Sequence, residues 1–292
     1  MQNKQQREGR SLHRLEKIVA LCALAAALAL TVGFARADGP RDPYLRSAVA
    51  LVQDASSGET LISKNADSVT PIASITKLMT AMVILDARLD LSRRVVISSE
   101  DYDDIKGTHS RLRAGASLTR DELLLIALMS SENRAAAALA RTYPGGTAAF
   151  VAAMNAKARA LHMGDTHFVE PTGLSSQNVS SAQDLARLVA AASRYPLIRE
   201  YSTRESATVT ALGRPLEYRN TNRLVRNSNW DIALQKTGYI SEAGRCLVMR
   251  VRLASRELNV VLLDSWGKLS RIGDANRIRK WIESTVASAS GG

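Results

Sequence analysis

Cysteine is scarce. Only Cys22 and Cys246 occur in 292 residues, and Cys22 lies within an apolar stretch near the N-terminus that has the character of a leader. With that stretch removed, no intrachain disulfide can form, and stability must come from a packed core. Cys246 opens the apolar run Cys246-Leu-Val-Met249 and is expected as a buried small hydrophobe rather than a reactive thiol. Aromatic residues make up only 4% of the chain. No cluster of them interleaves with Lys or Arg, as a groove for single-stranded nucleic acid requires. The net charge of +11 suits an anionic polymer without singling out nucleic acid, so no nucleic-acid partner is expected. The four histidines are His13, His109, His162 and His167. His162 and His167 stand five apart, which fits no zinc pattern, and are read as surface residues. No glycine-rich phosphate cradle and no Gly-x-Ser-x-Gly elbow occurs. Neither metal nor cofactor is expected.

The N-terminus has three parts. Residues 1–17 carry Lys4, Arg7, Arg10, Arg14 and Lys17, an apolar run follows from Ile18 to about Phe34, and Ala35-Arg36-Ala37 ends it. This is the order of a secretory signal peptide, cleaved before Asp38. An uncleaved anchor is the competing reading, because the run is near the lower limit for a spanning helix. A lipoprotein reading through Cys22 is disfavoured by bulky Leu21 before it. The domain expectation is a signal peptide over 1–37 and a single domain over 38–292. The end, Val286-Ala-Ser-Ala-Ser-Gly-Gly292, has no apolar face, so neither a second C-terminal domain nor an amphipathic anchor is expected. Export is expected either way, and a peripheral association with the envelope is compatible with the charge.

Downstream, strand signals come first. Ser47–Gln53 and Glu59–Ser63 flank the turn-forming Asp54-Ala-Ser-Ser-Gly58. Helical signals follow at Ile75–Ala87, with Leu78, Met82 and Leu85 on one face, and after the capping box Thr119-Arg-Asp-Glu122 to Met129. Further helices are expected at Glu132–Arg141, Thr147–Leu161 and Gln183–Ser193, the last started by Ser180 or Ser181. Strands return at Ile232–Lys236, Cys246–Leu253 and Leu258–Asp264, before an amphipathic helix from about Asp274 to Val286. The order implies an α+β fold: an antiparallel β-sheet flanked by helices, with an inserted helical subdomain.

Three short motifs carry chemistry. They are Ser74-Ile-Thr-Lys77, Ser131-Glu-Asn133 and Lys236-Thr-Gly238. Each is weak alone. Ser265-Trp-Gly-Lys268 repeats the first, and Ser63-Lys-Asn65 and Ser176-Gln-Asn178 repeat the second. Context separates them. Ser74 and Lys77 sit one turn apart at the start of a helix, whereas Ser265 follows a strand and has Gly267 inside its motif. Ser131 lies at a helix–helix junction, and Lys236-Thr-Gly occurs once, at the end of a strand signal. In this order the motifs resemble those of penicillin-binding proteins and serine β-lactamases.

That resemblance implies the roles. Ser74 is the nucleophile, and Lys77 is its base if neutral. Lowering a lysine from about 10.4 to 7 requires roughly 4–5 kcal/mol of differential interaction, which burial and a nearby cation such as Lys236 would supply. Ser131 would relay a proton to the leaving nitrogen, and Asn133 would orient Lys77 and the substrate amide. A helix cap is the plainer reading of Ser131. Lys236, Thr237 and Gly238 would bind substrate, and the backbone N–H groups of Ser74 and Tyr239 would hold the oxyanion.

Further segments narrow the resemblance. Ser131-Glu-Asn-Arg-Ala-Ala136, Met154-Asn-Ala-Lys-Ala158, Phe168-Val-Glu-Pro-Thr-Gly-Leu174 and Asn220-Thr-Asn222 are similar to the low-molecular-mass penicillin-binding proteins, and among these to the D-alanyl-D-alanine endopeptidase type. This implies a β-lactamase/transpeptidase-like fold and cleavage of peptidoglycan cross-links between D-alanine and a neighbouring diaminopimelate. It also implies peptidoglycan stem peptides as partners and β-lactams as covalent inhibitors. The D,D-carboxypeptidase relatives usually carry Ser-Gly-Asn or Ser-Asp-Asn where this chain has Glu132, a residue also favoured in a helix's first turn. Carboxypeptidase activity stays open as the alternative. A β-lactamase would need a carboxylate to activate water, for which Glu170 is the candidate, but the Glu-x-x-Leu-Asn pattern is missing because Ser175 follows Leu174. A non-catalytic β-lactam sensor is the third reading.

Overall fold

The computed structural model describes residues 42–290, so the leader expected over residues 1–37 lies outside the described residues. Strands β1 (Ser47–Asp54) and β2 (Thr60–Lys64) form the hairpin that opens the described chain. Asp54 shapes its turn by accepting the backbone N–H groups of Ser56 and Ser57 at 2.9 and 3.0 Å. The chain then passes through β3 (Thr70–Pro71), a 3-10 turn at Ala73–Ile75, helix α1 (Thr76–Asp86), β4 (Arg94–Val96) and β5 (Ser117–Thr119). Helices α2 (Arg120–Met129), α3 (Asn133–Arg141) and α4 (Gly146–Ala160) follow. Next come β6 (Val179–Ser180), helices α5 (Ala182–Ala192) and α6 (Pro196–Thr203), and the hairpin β7 (Ser206–Ala211) with β8 (Arg214–Arg219). Three long strands, β9 (Asp231–Ile240), β10 (Gly244–Leu253) and β11 (Arg256–Ser265), precede helix α7 (Ser270–Ser290).

The main sheet is antiparallel, in the order β2-β1-β11-β10-β9, which leaves β9 on an edge. Its two faces follow the period-two alternation of the strands. Cys246, Val248, Val261 and Leu263 face the helical lobe and join its core. Leu247, Met249, Val260 and Leu262 face the other way, against Ala275, Ile278 and Ile282 of α7. Cys246 is fully buried and its thiol is pushed up to about 11 by that burial, so it packs as an inert hydrophobe. Asp274 ties α7 to the start of β1, accepting the N–H groups of Ser47 at 2.7 Å and Arg46 at 3.0 Å.

Two local expectations change. Lys236-Thr-Gly238 lies inside β9, which runs on to Ile240, rather than at a strand's end. Helix α1 is not amphipathic but buried from Thr76 through Ile84, so that Lys77 and Thr80 are inside with the apolar residues. Of the two serines expected to start α5, Ser181 is its cap. The capping box before α2 forms as expected, with Thr119 and Glu122 reciprocally bonded. His109, His162 and His167 are exposed. Among the described residues, no helix is long and apolar enough to cross a membrane, and no cluster of three or more His, Cys, Asp or Glu side chains could hold a metal ion.

Candidate active site

Three segments from distant parts of the chain meet beside the edge strand. The turn Ala73–Ile75 leads directly into α1, carrying Ser74 and, one helical turn on, Lys77. Ser131 fills the junction of α2 and α3 with φ +64°, and Ala73 precedes the serine with φ +48°. A side chain in this left-handed region costs roughly 1–2 kcal/mol, so both turns that aim a hydroxyl into the cleft are strained. Glu132 caps α3, accepting the N–H of Arg134 at 3.2 Å.

Lys77 is the centre of the arrangement. Its side chain is buried, and Nζ lies 3.0 Å from Ser74 Oγ, 2.7 Å from Asn133 Oδ1 and 2.7 Å from the carbonyl of Thr172. These three partners match the three donors of an ammonium. Burial nevertheless lowers Lys77 from 10.5 to about 8, against the opposing pull of the Glu170, Glu132 and Asp103 carboxylates. Of the two causes expected, burial is borne out, whereas the repulsion between the two lysines falls on Lys236. Lys236 is itself buried and pushed well down, first by burial and then by Lys77 and Arg271. Its Nζ donates to Ser131 Oγ at 2.9 Å and the Thr237 carbonyl at 3.0 Å, and protonation beside an anionic ligand would add a third N–H for that ligand.

Two supports behind Lys77 were not legible as such in the sequence. Thr108 donates its hydroxyl to Asp103 Oδ2 at 2.6 Å, so it must accept from Asn133 Nδ2 at 2.9 Å. That pairing fixes the amide with Oδ1 toward Lys77. On the other side, Glu170 accepts the backbone N–H groups of Thr172 and Gly173 at 2.6 Å each, and Asn178 Nδ2 at 2.9 Å. The Thr172 hydroxyl also donates to it. This locks the loop that presents the Thr172 carbonyl to Lys77. The position of Gly173 is equally constrained: it has φ +82°, and a Cβ there would stand 2.0 Å from the Ala73 carbonyl oxygen.

Strand β9 forms the opposite wall. Thr237 Oγ1 pairs with Thr221 Oγ1 at 2.6 Å. Gly238 backs onto the nucleophile turn so closely that a Cβ would lie 3.0 Å from the Ile72 carbonyl and 3.1 Å from Ser74 N. Tyr239 points out and is 57% exposed. Arg271, which had no sequence signal beyond its charge, donates to the Gly238 carbonyl at 3.0 Å. Lys106 pairs with Glu242, linking the loop that carries Thr108 to the turn after β9. On the Asn133 side, a cavity of 270 Å³ is walled by Tyr102, Ile105, Pro171 and Leu174. The structure thus brings Ser74, Lys77, Ser131, Asn133, Lys236, Thr237 and Gly238 together. The alternative motif residue Ser265 instead pairs with Ser47 at 2.6 Å, away from this cleft.

A family model described as D-alanyl-D-alanine carboxypeptidase, peptidase S11, matches residues 36–266. The chain belongs to peptidase family S11. This S11 peptidase is 51% identical over 253 residues to a D-alanyl-D-alanine endopeptidase of Pseudomonas aeruginosa, covering 86% of this chain and 81% of the relative. It is 46% identical to the D-alanyl-D-alanine endopeptidase of Escherichia coli, over 94% and 88% of the two chains. Among solved structures it resembles a Streptomyces DD-transpeptidase (TM-score 0.77, 26% identity, 83% of this chain and 98% of that one). It also resembles a D-alanyl-D-alanine carboxypeptidase of Mycobacterium tuberculosis (TM-score 0.76, 27% identity, 85% and 95%). Family membership bears out the expected enzyme class, a serine-type D-alanyl-D-alanine peptidase, and the α+β fold.

Proposed function

We propose that this S11 peptidase is an exported, periplasmic endopeptidase that hydrolyses D-alanyl cross-links of peptidoglycan through an acyl-enzyme on Ser74. Export would follow cleavage of a signal peptide over residues 1–37, leaving one enzyme domain over 38–292. The observation that carries the chemistry is the set of partners around Lys77 Nζ. Asn133 Oδ1 and the Thr172 carbonyl can only accept hydrogen bonds. When Lys77 is neutral they take its two N–H groups, and the lone pair is left facing the Ser74 hydroxyl, which alone can donate.

The reaction then follows in order. Lys77 Nζ takes the Ser74 proton as Oγ bonds to the D-alanyl carbonyl carbon, and the oxyanion is held by the N–H groups of Ser74 and Tyr239, each worth about 3 kcal/mol. The C–N bond breaks as the leaving nitrogen receives a proton through Ser131, which Lys236 positions. Water then attacks the ester and regenerates Ser74. Lys236, Thr237 and Arg271 form the cationic, hydroxyl-bearing end where the carboxylate beside the leaving nitrogen would sit. That carboxylate would restore the charge on Lys236, and a charged Lys236 favours neutral Lys77. The cavity beside Asn133 would receive the acyl half. β-Lactams would acylate Ser74 by the same route.

Support for endopeptidase over carboxypeptidase specificity comes from the two most similar relatives reported above, both named D-alanyl-D-alanine endopeptidases. The test is mass analysis of products from cross-linked dimeric and uncross-linked pentapeptide muropeptides. Dimers should be converted to monomers, and Ser74→Ala should abolish this. Release of terminal D-alanine alone would make the enzyme a carboxypeptidase, and binding of penicillin without either cleavage would make it a sensor.

A further inference from the structure

Past Gly238 on β9, Tyr239 belongs to a second patch, whose other side chains the proposed chemistry leaves unused. A cavity of 390 Å³ is lined by Tyr239, Arg245, Asp264, Trp266 and Lys268. Trp266 is 85% exposed and Leu269 beside it is 55% exposed. An indole so open to water, on a surface with few other large apolar groups, marks a contact site rather than a core position. The other two tryptophans differ: Trp230 is buried and Trp281 is half-buried. The patch is also cationic. The Arg245 guanidinium lies 4.5 Å from the centre of the Tyr239 ring, and Lys268 has no ion pair among the described residues. Arg271, close enough to Arg245 for the two charges to repel, connects the patch to Gly238. Asp264 is the one acid lining the cavity.

The direction of the cleft identifies what belongs here. In a peptide cleaved after D-alanine, the residue beyond the scissile bond carries its carboxylate next to the leaving nitrogen. The groups suited to that carboxylate, Lys236, Thr237 and Arg271, therefore mark the leaving side, and the patch begins at Tyr239, the next residue on β9. A carboxypeptidase releases a single amino acid and needs nothing further out. An endopeptidase releases a residue that is part of a second stem, and that stem is an acidic peptide.

We infer that Trp266, Arg245 and Lys268 form a binding site for the leaving stem of the cross-link, an acidic peptide whose carboxylates face the cations while its apolar groups cover the indole. This rests on the endopeptidase reading. It makes the patch a specificity element for cross-linked over uncross-linked substrate, separate from the machinery that forms the acyl-enzyme.

The test compares the wild type with Trp266→Ala, Lys268→Ala and their combination on dimeric muropeptide, on uncross-linked pentapeptide and on penicillin. For the double variant, kcat/KM on the dimer should fall about tenfold or more, mostly through KM. Pentapeptide cleavage and the rate of penicillin acylation should stay within about twofold, which also shows that the variant is folded. In a Ser74→Ala background, dimeric but not monomeric muropeptide should change the tryptophan fluorescence, and Trp266→Phe should remove that change. Equal losses on all three substrates, or an unaltered dimer KM, would overturn the site while leaving the endopeptidase reading in place. A wild type that releases D-alanine but leaves dimers intact would overturn both.

Discussion

At the scale of single residues, the proposed base depends on groups that never touch Ser74. Asp103 holds Thr108, Thr108 holds the Asn133 amide, and the amide takes one Lys77 N–H. Glu170 holds the backbone around Thr172, whose carbonyl takes another. The two chains converge on one nitrogen from opposite sides and set where its lone pair points. Glu170 is occupied in this role, with five donors from its own loop around its two oxygens. Its carboxylate is therefore engaged, rather than free to activate water as in a β-lactamase. Glu170→Gln puts an amide donor where N–H groups already point, and a hydrogen bond to a charged group is worth about 1.5–3 kcal/mol. Acylation of Ser74 by penicillin should slow about tenfold or more, measured by stopped-flow or gel labelling. Unchanged acylation with a stalled acyl-enzyme would instead assign Glu170 to deacylation.

At the scale of elements, the nucleophile turn is clasped between two glycines. Gly173 approaches it from the Glu170 loop and Gly238 from β9. Gly173→Ala meets both a forbidden contact with the Ala73 carbonyl and an unfavourable φ, and should cost at least about 2 kcal/mol. Denaturant unfolding should show the lost stability and penicillin labelling the lost site; an unchanged midpoint and labelling rate would refute the clasp. This scale also shows what the sequence made legible. Helix α2 announced itself through Thr119 and Glu122, and β1, β10 and β11 through β-branched runs, because these signals are local. Helix α6, opened by Pro196, and the β7–β8 hairpin escaped notice, since neither carries a long apolar repeat. The amphipathic expectation for α1 failed for a tertiary reason: helices and sheet enclose it, so it is buried from Thr76 through Ile84 rather than on one face. The three motifs were readable because chemistry restricts their residue types. Thr108, Arg271 and the tie from Glu170 to Lys77 were not, because they act through contacts between segments far apart in the chain.

At the scale of the molecule, the site lies where the helical lobe meets the edge of the sheet. The lobe supplies Ser74, Lys77, Ser131 and Asn133, and the sheet supplies Lys236 through Tyr239. Enclosure by the two removes water from Lys77, and that desolvation is what lowers it. The sign of the linkage follows. An unfolded chain holds the Lys77 proton up to about 10.5, whereas the folded enzyme releases it at about 8. Between these values the unfolded state binds more protons, so this group's burial penalty is full below about pH 8 and is relieved as pH rises to 10.5. The same titration governs reactivity, because only the neutral amine can accept the serine proton. Penicillin acylation should therefore rise with pH along a limb centred near 8. The most direct measurement is the NMR titration of the Lys77 side chain in free enzyme labelled with 13C at lysine Cε, assigned by comparison with Lys77→Arg. A midpoint near 8 is expected; a midpoint near 10.5 would contradict a neutral-lysine base.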